Sequence, residues 1–274
     1  KIDLYSFRSR KQVSADLEEL LELIKPEKDF LCIYKYFERK LRQSTGIEVE
    51  KAPSLSASEI KEARTALKKL ELIKFTTQLI TDLGYIGEDK NKLLVFLIAL
   101  SRKLSSPISG ALRSASSAGK TFLLEVITSI TPDEEVVFAS RISSSSLYYM
   151  PKDYLSHRLL IIDESNGASD ATEYSIRTLQ SRKKLTLAVV KRDNTGKPKT
   201  TMFDVLGPIS FLDSSTSLET NPENLNRCFI LQLDESNEQT ERIFQEQKRK
   251  RNLDTKREDI SSQIKLAKNM QRLL

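Results

Sequence analysis

Apolar residues recur at helical spacing through the first hundred residues. Leu17, Leu20, Leu21 and Ile24 mark an amphipathic helix over about 14–24, and Phe30, Ile33, Tyr34, Phe37 and Leu41 mark a second over about 27–42. After a loop at 50–58, a longer stripe of Ile60, Ala63, Leu67, Leu70, Ile73 and the apolar positions of 75–79 predicts one helix from Glu59 to about Leu83. Ser58 stands at its N-cap with Lys61 where a capping box wants Glu, and Gly84 and Gly87 end it. Lys90–Leu104 carries an unbroken run from Leu93 to Leu100, so it is expected to lie buried against a sheet. Beyond it the period changes. Short apolar runs at 108–112, 135–140, 159–162, 209–212 and 228–233 alternate with helical patterns at 122–130 and from Asp170 to about Lys184. Such runs read as strands buried on both faces, and their alternation with helices predicts an α/β fold with a parallel sheet flanked by helices. One pair differs: Leu185–Arg192 and Thr200–Leu206, joined by Asn194-Thr195-Gly196-Lys197, predict an inserted antiparallel hairpin, closed by Gly207-Pro208. Residues 143–155 are Ser-rich, but Leu147, Tyr148, Tyr149 and Met150 argue for a packed element there. The expected division is a helical region 1–86, an α/β core 87–236 and a charged helical tail 237–274.

The chemistry concentrates where the first predicted strand meets its helix. Pro107–Thr121 reads PISGALRSASSAGKT, a strand running into a loop made of Ser114, Ala115, Ser116, Ser117, Ala118, Gly119, Lys120 and Thr121. A loop of this kind turns successive backbone N–H groups, and those of the helix start, toward one point and so holds phosphates. Lys120 adds a positive charge toward the β/γ-phosphates, and the Thr121 hydroxyl is placed to bind Mg²⁺. The usual pattern opens with Gly; here Ser114 stands in that place, so the loop turns differently or carries strain. About forty residues on, the run Leu159–Ile162 delivers Asp163 and Glu164 at a strand's carboxyl end, where ligands of open α/β sheets sit. Adjacent residues of a strand point in different directions. That suits two tasks, Asp163 for Mg²⁺ and Glu164 as the base that polarises an attacking water. A surface Lys120 at an ordinary helix start leaves the second strand unexplained. Ser214, Ser215 and Thr216 close another strand and are candidates to sense a γ-phosphate or orient water, with the choice among them open. Arg227, just before the last strand, is a candidate to reach a neighbouring subunit's site.

Composition excludes more than it selects. The chain has 274 residues, 39% hydrophobic and 30% charged, with no apolar run near the roughly 18 residues of a membrane span and no signal-peptide pattern, so a cytoplasmic location is expected. It begins at Lys1 and reads as a piece of a longer protein. Cys32 and Cys228 are isolated, and His157 is the single histidine, which leaves no material for a zinc site or a His-based nucleophile. The net charge of +6 allows a polyanionic partner without demonstrating one.

The order of phosphate loop, Asp-Glu strand, hairpin, polar strand end and Arg resembles the AAA+ class of P-loop ATPases. The inserted hairpin resembles that of the pre-sensor-1 hairpin clade, to which the MCM helicases belong. Leu147–Thr240, with SSSSLYYMPKDYLSHRLLIIDE, RTLQSRKKLTLAVVK, TGKPKT, GPISFLDSST and NPENLNRCFILQLDES within and around it, is similar to the ATPase modules of primase-helicase replication proteins of bacterial mobile elements. The resemblance implies ATP and Mg²⁺ at Ser114–Thr121, Asp163 and Glu164 as the Walker B pair, Ser215 or Thr216 as sensor 1, and Arg227 as an arginine finger. It also implies a hexamer-type homo-oligomeric ring, away from membranes, with a linked or partner primase. In it Lys191, Arg192, Lys197 and Lys199 of the hairpin would grip single-stranded DNA through its phosphates. The expected activity is that of an ATP-driven DNA helicase or translocase. An ATP-dependent switch or loader without translocation, and a metabolite kinase, are the alternatives.

Overall fold

The computed structural model describes residues 52–69, 71–114, 119–165, 169–192, 197–217, 226–251 and 260–274. The two helices expected before residue 50, the loop residues Ala115–Ala118 and most of the hairpin turn lie outside them. Five parallel strands form the central sheet: β1 (Ser109–Arg113), β2 (Val136–Ala139), β3 (Arg158–Ile162), β6 (Ile209–Ser215) and β7 (Cys228–Gln232). Their spatial order is β2-β3-β6-β1-β7. Strand β6 therefore lies between the strand that carries the phosphate loop and the strand that carries Asp163. Strands β4 (Lys184–Arg192) and β5 (Pro198–Leu206) pair with each other alone, as the antiparallel hairpin the sequence predicts.

Both faces of the sheet are covered, which explains the unbroken apolar runs. On one face Leu112, Leu159, Ile161, Leu212 and Leu231 meet helices α2 (Leu72–Asp82), α3 (Asp89–Leu100), α4 (Lys120–Ile130) and α8 (Ser261–Arg272). Gly110 permits the close approach of α3, since a Cβ there would lie 2.6 Å from Ile98 Cδ1. On the other face Leu160, Ile162, Ile209 and Phe211 pack with α5 (Ser144–Tyr148), α6 (Asp170–Arg182) and the hairpin roots Leu185 and Val205. The Ser-rich segment is thus packed: Leu147 and Leu155 are fully buried, and Ser143 caps α5.

Several element boundaries differ from the expectation. The stripe over 59–83 is two helices, α1 (Ala57–Lys69) and α2, with Glu71 in a non-helical conformation before the second. Periodicity cannot show this break, because both halves keep the same spacing without Gly or Pro. The N-terminal cap is Ser56, not Ser58. Its backbone N–H and hydroxyl both donate to Glu59, whose own N–H donates to Ser56 Oγ at 3.3 Å, a complete reciprocal cap. Ser169 caps α6, and Asp170 is its first residue. Helix α3 ends at Leu100 in a short 3₁₀ turn, with Leu94 and Leu97 partly exposed. Strand β6 continues through Ser214 and Ser215, so the polar cluster begins on the strand itself.

Helices on either side of the 87–236 segment share its packing. Residues Lys51–Leu274 form one unit, and Leu79, Ile80 and Ala267 belong to the same apolar cluster as β1 and β6. Helix α8 is also held by polar contacts. Arg272 pairs with Glu134, Lys268 with Asp133, and Gln271 links Ile130 O to the fully buried Arg102, which itself pairs with Glu135.

Candidate nucleotide site

The site forms at the carboxyl ends of β1, β3 and β6. Gly119, the last loop residue before α4, has φ of +84°, a conformation glycine adopts without steric cost. Lys120 follows as the first residue of α4 and is buried to 8% exposure. Its ammonium donates to Ser114 O at 2.8 Å and to Ser114 Oγ at 3.2 Å. Burial pushes the Lys120 pKa below its ordinary value, opposed by the negative charges of Glu164, Glu235 and Asp163 in that order. The lysine and both acidic residues predicted from sequence are therefore one electrostatic cluster. Thr121, one residue further on, is exposed.

Backbone pairing fixes the Asp-Glu strand end. Asp163 N–H donates to Ala139 O and Glu164 N–H to Ser140 O, which carries the β2-β3 ladder past the last regular residue. Ser214 then ties this end to β6: its hydroxyl donates to Asp163 O and reaches Asp163 Oδ1 at 3.3 Å, while Ser165 Oγ and N–H donate to Ser214 O. Of the three candidates at this strand end, Ser214 contacts Asp163 of the acidic pair. Ser215 accepts from Ser217 N–H, and Thr216 is exposed. Among the described residues, Glu164 Oε1 is buried without a hydrogen-bond partner. A buried carboxylate oxygen left unsatisfied calls for a ligand or a water to fill the place.

Sequence reading missed a buried ion pair under this site. Arg113, the residue before Ser114, pairs with Asp213 at 3.0 Å, and each side chain is 8% exposed. Successive β6 residues thus hold both neighbours, Asp213 the loop strand on one face and Ser214 the Asp-Glu strand on the other. The available signal was a charged residue at the end of each of two apolar runs.

The remaining predicted residues lie elsewhere. Arg227 is exposed and donates from Nε to Ser181 Oγ at 3.2 Å. It precedes Cys228, which pairs with Ser109 at the start of β1, whereas the loop follows Arg113 at its end. Four residues of strand, about 13 Å, separate the two levels. Lys197 and Lys199 are exposed on the hairpin, with Lys199 directly opposite Lys191 and Pro198 opposite Arg192. Ala115, Ser116, Ser117 and Ala118 fall outside the described residues.

A parallel sheet flanked by helices, with a loop ending Gly-Lys-Thr between β1 and α4 and an acidic pair on a nearby strand end, defines a P-loop NTPase domain. The model of the MTBMA_p00010 P-loop domain family matches residues 56–274, and the chain belongs to that family. No curated protein matches the chain. Among the described residues, no helix is long and apolar enough to cross a membrane.

Proposed function

We propose that the chain is an ATP-hydrolysing motor that acts on nucleic acid, a DNA helicase or translocase module working as a homo-oligomeric ring of the AAA+ kind. The observation that carries the hydrolytic part is Glu164, whose buried Oε1 has no partner among the described residues beside the Asp163 and Lys120 cluster. A carboxylate so placed accepts a proton from water and orients it for attack. The donor set suits Mg·ATP. Lys120 would turn from Ser114 to the phosphates, and Thr121 and Asp163 offer oxygens to a small hard cation. When bound, Mg²⁺ neutralises phosphate charge. Ser214 holds Asp163 in place and so stands where a sensor residue is needed, in preference to Ser215 or Thr216.

The ring is supported by Arg227. On the opposite level of the sheet from its own loop, with its side chain engaged at Ser181, it is remote from the site of its own subunit. A second copy is the site it would complete. Nucleic-acid binding is supported by the hairpin. The register sets Lys199 opposite Lys191 and Pro198 opposite Arg192, so basic positions gather at the outer end of the hairpin, where an anionic partner would be favoured. At the root, Lys184 pairs with Asp204 at 3.0 Å. Single-stranded DNA threading a ring would meet Lys191, Arg192, Lys197 and Lys199 as sequence-independent phosphate contacts.

A second reading has its own observation. Val190 and Met202 of the hairpin are 66% and 59% exposed, which favours a switch or loader whose hairpin docks a protein. ATP hydrolysis measured with and without single-stranded DNA separates the two. Stimulation by DNA that falls with rising salt and is lost in Lys197→Ala/Lys199→Ala supports the motor. Equal rates with and without DNA would leave the switch.

A further inference from the structure

Among the described residues, three buried side-chain atoms have no hydrogen-bond partner: Arg113 Nε, Glu164 Oε1 and Gln239 Oε1. The first two flank the phosphate loop and the acidic pair. The third also belongs to this neighbourhood, through a short chain of contacts. Gln239, 3% exposed, lies on Gly87 so closely that a Cβ on residue 87 would sit 2.4 Å from its Oε1. Two residues before Gly87, the buried Tyr85 ring lies 3.7 Å from where a Cβ of Gly119 would stand, and it stacks on Phe122 at 6.3 Å between centroids. Glu88 fastens this segment to the end of β7, accepting from the Tyr85 hydroxyl, from Asn91 and from Asp234 N–H. The 85–88 segment and the start of α7 (Asn237–Arg251) are thereby fixed against the phosphate loop.

The orientation of the Gln239 carboxamide is determined. Its Nε2 donates to Ile86 O at 2.6 Å, so Oε1 is the acceptor that remains and the group cannot flip without losing that bond. A buried acceptor of fixed direction is satisfied by an N–H donor and penalises a carbonyl. Phe122, 42% exposed directly after Thr121, offers a ring beside the loop on which a base can lie.

We propose that Gln239 reads the nucleobase: its amide oxygen accepts from the exocyclic amine of adenine and disfavours purines with a carbonyl at that position. The proposal rests on the reading of Ser114–Thr121 as a nucleotide site and adds the residue that selects the base. Adenosine and inosine triphosphates form the discriminating pair: inosine replaces the amine at the purine 6-position by a carbonyl and adds a proton at N1, with sugar and phosphates unchanged.

The test is competition of each triphosphate, with Mg²⁺, against a fluorescent ATP analogue bound to the full chain and to Gln239→Leu. The wild type should prefer ATP over ITP by at least about tenfold, the cost of one unsatisfied buried acceptor. Gln239→Leu should bring the ratio near one while both nucleotides still bind. Equal affinities in the wild type would overturn the proposal without any variant. So would a preference that persists in Gln239→Leu. Failure of the wild type to bind any triphosphate is a different result: it removes the nucleotide site itself, and the proposal with it.

Discussion

The pair Arg113–Asp213 provides a quantitative test of how the site is built. Both side chains are 8% exposed, at a separation of 3.0 Å, and Arg113 also donates to Leu112 O. Replacing Arg113 by Met leaves the Asp213 carboxylate buried without its counter-charge. Breaking such a pair costs about 3–5 kcal/mol, whereas replacing both members by apolar residues of similar volume is often neutral. For a domain of this size each kcal/mol lowers the melting temperature by roughly 2–4 °C, so Arg113→Met should lose about 6–20 °C. Arg113→Met/Asp213→Leu should recover most of that loss. Thermal unfolding followed by circular dichroism on wild type, both single variants and the double variant gives the full cycle. If the double variant is as unstable as Arg113→Met, the cost is one of packing and the ion-pair account is refuted. Because Asp213 precedes the serine that holds Asp163, the stable double variant also shows whether the pair matters for hydrolysis apart from folding.

Three further outcomes follow from particular contacts. Ser114→Gly removes the Ser114 hydroxyl to which the Lys120 ammonium donates at 3.2 Å. At about 1 kcal/mol for that bond, nucleotide affinity should rise roughly fivefold in a titration, and unchanged or weaker binding would count against the latch. Arg272 holds the Glu134 carboxyl below its ordinary pKa, and Lys265 first, then Ser56, hold Glu59 down to about 2. A depressed carboxylate pKa gives stability that is complete above the unfolded value, near 4.5, and lost as pH falls through the folded value. Melting temperature should therefore fall below about pH 4.5 less steeply in Glu134→Gln than in wild type, and parallel curves would dismiss the link between Glu134 and α8. Arg227→Ala should depress hydrolysis by about 10³-fold or more, the scale of an arginine finger. Full activity in that variant would dismiss the role in trans.

How much was legible depended on the type of signal. Unbroken apolar runs ending in polar residues located every strand of the central sheet to within a few residues, because burial on both faces leaves a run with no alternation. The loop and acidic pair were visible as motifs, since their chemistry demands particular side chains at particular spacing. Boundaries set by single caps were less visible: Ser56 and Ser58 are both good cap residues, and only the Glu59 contact separates them. The Ser214 contact with Asp163 depended on a register that sequence does not give, since a shift of one residue in the β3–β6 pairing would exchange the faces of Ser214 and Ser215. Gln239 reaches Ile86 across 153 residues, the Arg113–Asp213 pair spans 100, and the Tyr85 ring lies against Gly119 from a segment well before it. No local pattern carries such contacts, and the Arg113–Asp213 pair emerges only once β6 is known to lie beside β1.

The central claim is that Glu164 activates water in a nucleotide site coupled to DNA. ATP hydrolysis by wild type and Glu164→Gln, with and without single-stranded DNA and over a range of protein concentrations, tests it most directly. The account predicts a rate that rises with DNA, rises more than linearly with protein and disappears in the variant, which still binds ATP. Hydrolysis that is linear in protein, indifferent to DNA and retained in Glu164→Gln would contradict it.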